Sequence, residues 1–394
     1  MNSKILNTEV QNFINANLHE EISKIIFRGS PFDGITVQEL ANQILAKKKS
    51  EKKLPTWFQT KNIYYPEKIS IEQTSSEVTA NYKSKLVNGN SIVDLSGGFG
   101  IDSFYFSKKF NEVVHCEINN QLSEIVTHNY KQLGINTIQT LAVDGISHIK
   151  NNETFYDWIY VDPSRRDDIK GKVFLLQDCA PNVPEELDGL FSKSENILIK
   201  VSPILDITST LRELKNTKEV HIVALNNEVK ELLFVLQKGF NQPIMIKTVN
   251  LLKENSQHFE FTLEDNTYSE SIFSLPEKYL YEPNSAILKS GGFTIITEQF
   301  NVKKLHQHSH LYTSNELIDF PGRKFLINSI VPYNKKEIKK IIPNKKANIT
   351  VRNFPKTVEQ IRKETKITDG GDIYLFFTTL KNNSKVMIVS NKIN

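Results

Sequence analysis

Between Ser91 and Leu225 the chain repeats one pattern: a short apolar run, a glycine or acidic residue at its end, then a stretch with helical spacing. The runs are Ser91 to Leu95, Glu112 to Cys116, Thr137 to Val143, Trp158 to Val161, Ile197 to Val201 and Val220 to Leu225. Short runs apolar on both faces fit strands covered on both sides, and their alternation with helical stretches implies βαβ units. The expected fold class is therefore α/β with a doubly wound parallel sheet.

The flanks read differently. From Asn7 to about Lys49, Val10, Phe13, Ile14, Leu18, Ile22, Ile25 and Ile26 recur at helical steps, and Thr36 to Ala46 reads as a further helix begun by a threonine cap. Lys47 to Lys53, with five lysines and one glutamate, reads as a solvated connector. After Leu225 the alternation stops, and Leu232 to Gln237, Pro243 to Leu251 and His258 to Thr262 look like successive strands. Beyond Asn266 the turn-rich composition suggests small α+β structure. A length of 394 residues suits two or three domains. The expected division is a helical region at 1–85, an α/β domain at 86–265, a small α+β module at 266–320 and a basic domain at 321–394.

Charge supports the last boundary. The whole chain carries only +4, yet residues 321–394 hold 16 Lys and Arg against 5 Asp and Glu. The near-neutral mean thus hides a basic tail, the electrostatic footprint of a polyanion partner. Cys116 and Cys179 form no CxxC pair, so neither a disulfide framework nor a thiolate zinc site is expected. His306-Gln307-His308-Ser309-His310 would place three imidazoles on one face of a strand, but with no carboxylate or thiolate in the motif no metal is expected. The first residues lack a basic stretch followed by an apolar one, and no long apolar run occurs, so the expected location is the cytoplasm.

The first run leads into Asp94-Leu95-Ser96-Gly97-Gly98-Phe99-Gly100-Ile101-Asp102. A strand, a glycine-rich turn and a helix bring backbone N–H groups and a positive helix end beside a ligand. An acid placed before the glycines suits a ligand with an ammonium group and a sulfonium rather than a pyrophosphate. Glu117 closes the second run, where a carboxylate can accept both hydroxyls of a ribose, and Asp144 closes the third, where it can accept from an adenine amino group. Taken singly, each acid at a strand end is more often a helix cap or turn former. Together they fall at the carboxyl ends of successive strands, where open parallel sheets bind ligands.

The fourth run ends Asp162-Pro163-Ser164-Arg165-Arg166. Here the chain resembles the class I S-adenosylmethionine-dependent methyltransferases, Rossmann-like enzymes whose fourth strand often ends in an acidic or amide residue, two prolines and an aromatic. The acceptors survive here as Asp162 and the Pro163 carbonyl, while Ser164 and Arg165 replace the second proline and the aromatic. Glu72 to Glu77 with Thr79, Ala80, Tyr82 and Lys83, together with Lys200-Val201-Ser202-Pro203, Tyr281-Glu282-Pro283-Asn284, Phe320-Pro321-Gly322-Arg323 and Arg352-Asn353-Phe354-Pro355, sharpens the likeness. The chain is similar to a bacterial methyltransferase family with a small ferredoxin-like module and a C-terminal THUMP-like domain.

The resemblance implies S-adenosylmethionine as cofactor, with Asp94, Ser96, Gly98 and Gly100 at its methionine part, Glu117 at the ribose and Asp144 at the adenine. It implies that Asp162 and Pro163 orient the acceptor, that Arg165, Arg166 and Lys200 face a nucleotide, and that Ser202 and Pro203 wall the site. Gln73, Ser75 and Ser76 are expected on a helical lid over the cofactor, or else at a helix cap. THUMP domains belong to RNA-modifying enzymes, so the expected substrate is a base nitrogen of tRNA or rRNA. A non-catalytic factor binding cofactor or RNA, and a methyltransferase acting on a protein amide or small molecule, are the other readings.

Overall fold

The computed structural model describes residues 1–165, 175–334, 338, 340–342 and 344–393, apart from the Arg165 side chain. The chain forms two compact units, Met1–Thr217 with Leu233–Asn241, and Lys218–Leu232 with Gln242–Asn394.

The first unit carries strands β1 (Ser91–Asp94), β2 (Glu112–Cys116), β3 (Ile138–Leu141), β4 (Trp158–Val161) and β7 (Asn196–Val201), and a small ribbon of β5 (Ser164–Arg165) with β6 (Cys179–Ala180). The five main strands lie in the order β3-β2-β1-β4-β7, and every neighbouring pair is parallel. The chain moves outward through β1, β2 and β3, then returns to β4 beside β1. Right-handed crossovers place the helices after β1 and β2 on one face and those after β3 and β4 on the other. The doubly wound α/β expectation is met, and its switch point lies between β1 and β4. In such sheets that crevice is where ligands bind.

Six helices precede β1: Thr8–Ala16, Ile22–Arg28, Val37–Lys53, Pro55–Gln59, Lys68–Gln73 and Glu77–Ser84. They share one apolar core with the helices that follow β1 and β2. Val10, Ile14, Leu40, Ile44 and Trp57 pack together with Phe99, Phe104, Tyr105, Ile125 and Val126. The Trp57 ring lies 4.7 Å from that of Phe104. The lysines at 47–53 are not a connector. They form the last turns of the 17-residue Val37–Lys53 helix, in which Lys47 is buried and the Lys53 ammonium donates to the carbonyls of Ile71 and Glu72. The long aliphatic stems of lysine let Lys47 cover apolar surface and Lys53 reach carbonyls, while Lys48, Lys49 and Lys52 stay exposed.

β8 (Thr217–Leu225) and β9 (Glu228–Gln237) span the division between the units. In the second unit β8 pairs in parallel with β10 (Met245–Leu251), which pairs antiparallel with β11 (Ser256–Thr262). A seven-stranded sheet follows, in the order β13-β14-β12-β15-β18-β17-β16. Its strands are β12 (Tyr279–Pro283), β13 (Lys303–Lys304), β14 (Tyr312–Ser314), β15 (Gly322–Pro332), β16 (Asn348–Arg352), β17 (Ile373–Thr379) and β18 (Lys385–Ile393). Phe325, Phe376, Leu280, Leu305 and Leu311 form one of its cores. The histidine segment 306–310 is a turn between β13 and β14, so its three rings do not share a strand face. His310, at φ +50°, stacks on Phe293 with centroids 3.7 Å apart, while His306 Nδ1 accepts from the His308 backbone N–H at 3.1 Å and from the Asn353 side-chain amide at 2.9 Å.

Candidate active site

The glycine turn is shaped from beneath. A Cβ at Gly97 would stand 2.2 Å from Nε2 of His115, and one at Gly100 would stand 2.2 Å from the Tyr130 hydroxyl. That hydroxyl donates to the Gly100 carbonyl at 2.8 Å, and the Gly97 amide donates to the Cys116 carbonyl. Close packing on β2 and its following helix therefore already demands glycine at both positions. Gly98, at φ +54°, is different: a Cβ there would meet no other atom closer than 3.8 Å. The turn opens toward solvent at Gly98, on the side where a ligand would lie. His115 is fully buried, and burial pushes its imidazole down to about 4, so it supports the turn uncharged.

Four of the sequence-selected residues converge on one hydrogen-bonded group. Asp94 Oδ1 accepts from the Ser96 amide at 3.0 Å and from its hydroxyl, and Asp94 Oδ2 accepts from Ser103 at 2.6 Å. Ser96 Oγ in turn accepts from the Asp162 amide at 2.6 Å. The Asp162 carboxylate holds the ammonium of Lys200, which stands at the end of β7. Ser96 thus ties the ends of β1 and β4 together across the switch point. Asp94 is 1% exposed, and burial raises its carboxyl to about 7 against the serine hydrogen bonds, with the charges of Asp102 and Asp162 pushing the same way.

Glu117 and Asp144 take the other strand ends. Glu117 Oε2 accepts from the Gly98 amide at 2.9 Å and Oε1 from the Asn119 amide at 2.7 Å, so its carboxylate faces the turn. Asp144 caps the Gly145–Asn151 helix through Ser147 and is otherwise exposed. A Cβ at Gly145 would come 2.3 Å from the Leu95 carbonyl, so Asp144 is held one residue from the glycine turn. Pro163 is buried behind Asp162, and Ser202 lies exposed in the turn after β7 with Pro203 half-buried beside it. Arg165 belongs to the β5–β6 ribbon through its backbone, opposite Cys179, and Arg166 lies outside the described residues.

The sequence reading missed the buried charges below this group. Asp102 accepts from Ser75 at 2.8 Å and from the Tyr160 hydroxyl at 2.9 Å, and it pairs with Lys83 at 3.1 Å. Burial alone would raise the Asp102 carboxyl, but Lys83, Lys200 and the two hydroxyls outweigh it and hold it below its ordinary range. Ser75 is therefore fixed to the floor, and Ser76 is the cap of the Glu77–Ser84 helix; Gln73 ends the helix before it. Also missed were the exposed apolar side chains Ile118 and Val143, 72% and 39% exposed, next to Glu117 and Asp144. Their positions directly after and before two strand-end acids were the available signal.

A parallel sheet with its acids, glycine turn and Asp-Pro segment at the carboxyl ends around a switch point defines a class I methyltransferase fold. The crystal structure of a "putative methyltransferase" from Porphyromonas gingivalis W83 superposes with a TM-score of 0.90, at 31% identity, over 100% of this chain and 99% of that one. Residues 279–321 match a ferredoxin-like domain model, and residues 322–392 match a THUMP domain-like model. The chain belongs to this family of class I methyltransferases with C-terminal ferredoxin-like and THUMP-like domains. A curated relative from Mycoplasma mobile, named an uncharacterized RNA methyltransferase, is 31% identical over 101 residues, which span 25% of this chain and 28% of that relative.

Proposed function

We propose that the protein transfers the methyl group of S-adenosylmethionine to RNA, at a base nitrogen of tRNA or rRNA. The observation that carries this reading is the Asp94–Ser96–Asp162–Lys200 group, which joins the cofactor turn to the acceptor strand end. The donor set fits the cofactor. The carboxylate of Asp94 suits a sulfonium and an ammonium, Glu117 suits ribose hydroxyls, and Gly98 leaves the turn open. Ile118 and Val143 suit the two faces of an adenine, with Asp144 at its amino group. When bound, the cofactor supplies an electrophilic methyl on sulfur.

The residues of this chain then have alignment as their task. Asp162 and the Pro163 carbonyl accept from the N–H groups of a planar amine and aim its lone pair, Lys200 fixes the Asp162 carboxylate, and Ser202 with Pro203 bounds the acceptor space. In-line transfer gains mainly from such positioning, so no strong general base is required. Arg165 and Arg166 are assigned to the nucleotide. The basic residues of 321–394 and the THUMP-like match support RNA as the substrate. We assign 1–85 to a helical lead-in, 86–265 to methyl transfer, 266–320 to the ferredoxin-like module and 321–394 to RNA, in a protein working in the cytoplasm. Among the described residues, no helix is long and apolar enough to cross a membrane.

The test is nucleoside mass spectrometry of tRNA and rRNA from a strain lacking the gene. One methylated nucleoside should vanish and return with the wild-type gene but not with Asp162→Ala. Calorimetry should show that Asp162→Ala keeps its cofactor affinity within about threefold. An unchanged nucleoside profile would sink the RNA assignment, and no cofactor binding at millimolar concentration would sink methyl transfer itself.

A further inference from the structure

The carboxylates around the glycine turn do not share their counter-charges evenly. Asp102 has the Lys83 ammonium at 3.1 Å, and Asp162 has that of Lys200. Asp94 feels the negative charges of both acids. Among the described residues it nonetheless accepts from neutral donors alone, the amide and hydroxyl of Ser96 and the hydroxyl of Ser103.

The other ionisable groups that face Asp94 add no positive charge. His115 stands beside it on β2, with an imidazole that burial keeps uncharged at neutral pH, and Tyr160 stands beside it on β4. Cys116 follows His115, Tyr130 rises from the helix after β2, and burial keeps both of these groups protonated. Glu117 faces the same turn and Asp144 lies at the end of β3, both acidic. A buried carboxylate needs a cation or gives up its charge. Asp94 takes the second course, with its carboxyl raised to about 7. The set around it is short of one positive charge, and the turn that Asp94 begins is open at Gly98.

We propose that Asp94 makes this cleft select the more positive of two otherwise similar ligands, so that S-adenosylmethionine binds in preference to its demethylated product, S-adenosylhomocysteine. The inference rests on the methyl-transfer reading above. The two ligands share a nucleoside and an amino-acid end, and they differ by one methyl group and by the charge of the sulfonium. Asp94 ionises to meet that charge. Once the charge is gone Asp94 takes a proton back from solvent, and the product loses its hold. One carboxylate thereby serves both capture and release.

The test is isothermal titration calorimetry of the full chain with each ligand at pH 6 and pH 8, in buffers of two ionisation enthalpies. Affinity for S-adenosylmethionine should rise about tenfold between the two pH values, with proton release, because the ionised fraction of Asp94 grows. Affinity for S-adenosylhomocysteine should change by less than about threefold, with little proton release. At pH 8 the methylated ligand should bind about tenfold more tightly, and at pH 6 the two should lie within about threefold. Asp94→Asn keeps the shape and removes the charge. It should bring the two ligands within about threefold at both pH values, with affinity for S-adenosylhomocysteine held near that of the wild type.

Equal affinities and equal proton release in the wild type overturn the inference and leave cofactor binding standing. A folded Asp94→Asn that loses both ligands alike places the residue at their shared amino-acid end, which also overturns it. If that variant does not fold, the wild-type proton counts decide. Binding of neither ligand by the wild type at millimolar concentration overturns the methyl-transfer reading, and the inference falls with it.

Discussion

The Ser96 hydroxyl accepts the backbone N–H of Asp162 at 2.6 Å while its own proton points to Asp94. One side chain thereby couples the turn expected to hold a cofactor with the strand end expected to hold an acceptor. Ser96→Ala should cost about 1–2 kcal/mol of stability, as expected when a partly buried N–H loses its acceptor. Its larger effect should be on turnover, about tenfold or more, with cofactor affinity changed by less than threefold. Single-turnover kinetics beside calorimetry would show the split; an equal loss in both would place Ser96 in the cofactor site alone.

The raised carboxyl of Asp94 should make binding of the proposed cofactor depend on pH. Below about 7 the group is protonated, and it must ionise to answer a cationic ligand. Apparent affinity should therefore rise about tenfold from pH 6 to pH 8, as the competent fraction grows, with protons released on binding. Stability without cofactor runs the other way. A carboxyl whose folded value lies above its unfolded one contributes stability that is fully present at low pH and lost as pH rises through about 7. Calorimetry in buffers of different ionisation enthalpy would count the protons, and Asp94→Asn should remove both trends.

Lys83 is fully buried against Asp102. Lys83→Met leaves that carboxylate without its nearest counter-charge and should cost about 3–5 kcal/mol in a denaturant titration. Adding Asp102→Leu should return much of the loss. A double variant no more stable than the single one would mean that the charge pair is not what Lys83 contributes.

Gly97→Ala should destabilise by about 1–3 kcal/mol, because its methyl would meet the His115 ring at 2.2 Å. In a double-mutant cycle with His115→Ala the two losses should be clearly less than additive. Additive losses would show that the turn, not the ring beneath it, refuses the methyl group.

The legible part of this fold was the part written locally. Apolar runs such as Trp158 to Val161 are too short and too uniformly buried to be helices, and their order with the helices between them fixes the winding of the sheet. The strand-end residues Asp94, Glu117 and Asp162 were legible for the same reason. Contacts between distant segments were not. Nothing near Lys83 in sequence announces Asp102, and nothing near Glu282 announces Arg352, 70 positions away. The lysine-rich run at 47–53 misled only in part: Lys48, Lys49 and Lys52 are exposed, but composition does not say that the run is helical or that Lys47 is buried and Lys53 ends on carbonyls. The alternating histidines misled because His310 adopts a left-handed backbone, which no alternation rule anticipates.

The matches to the ferredoxin-like and THUMP-like models meet between Pro321 and Gly322, yet β12 on one side of that border pairs along five residues with β15 on the other. A cut there would not release two bodies. It would strip a partner from each strand and leave the Glu282 carboxylate without the guanidiniums of Arg323 and Arg352. The two sequence modules share one sheet, so neither can be removed without unpairing a strand of the other.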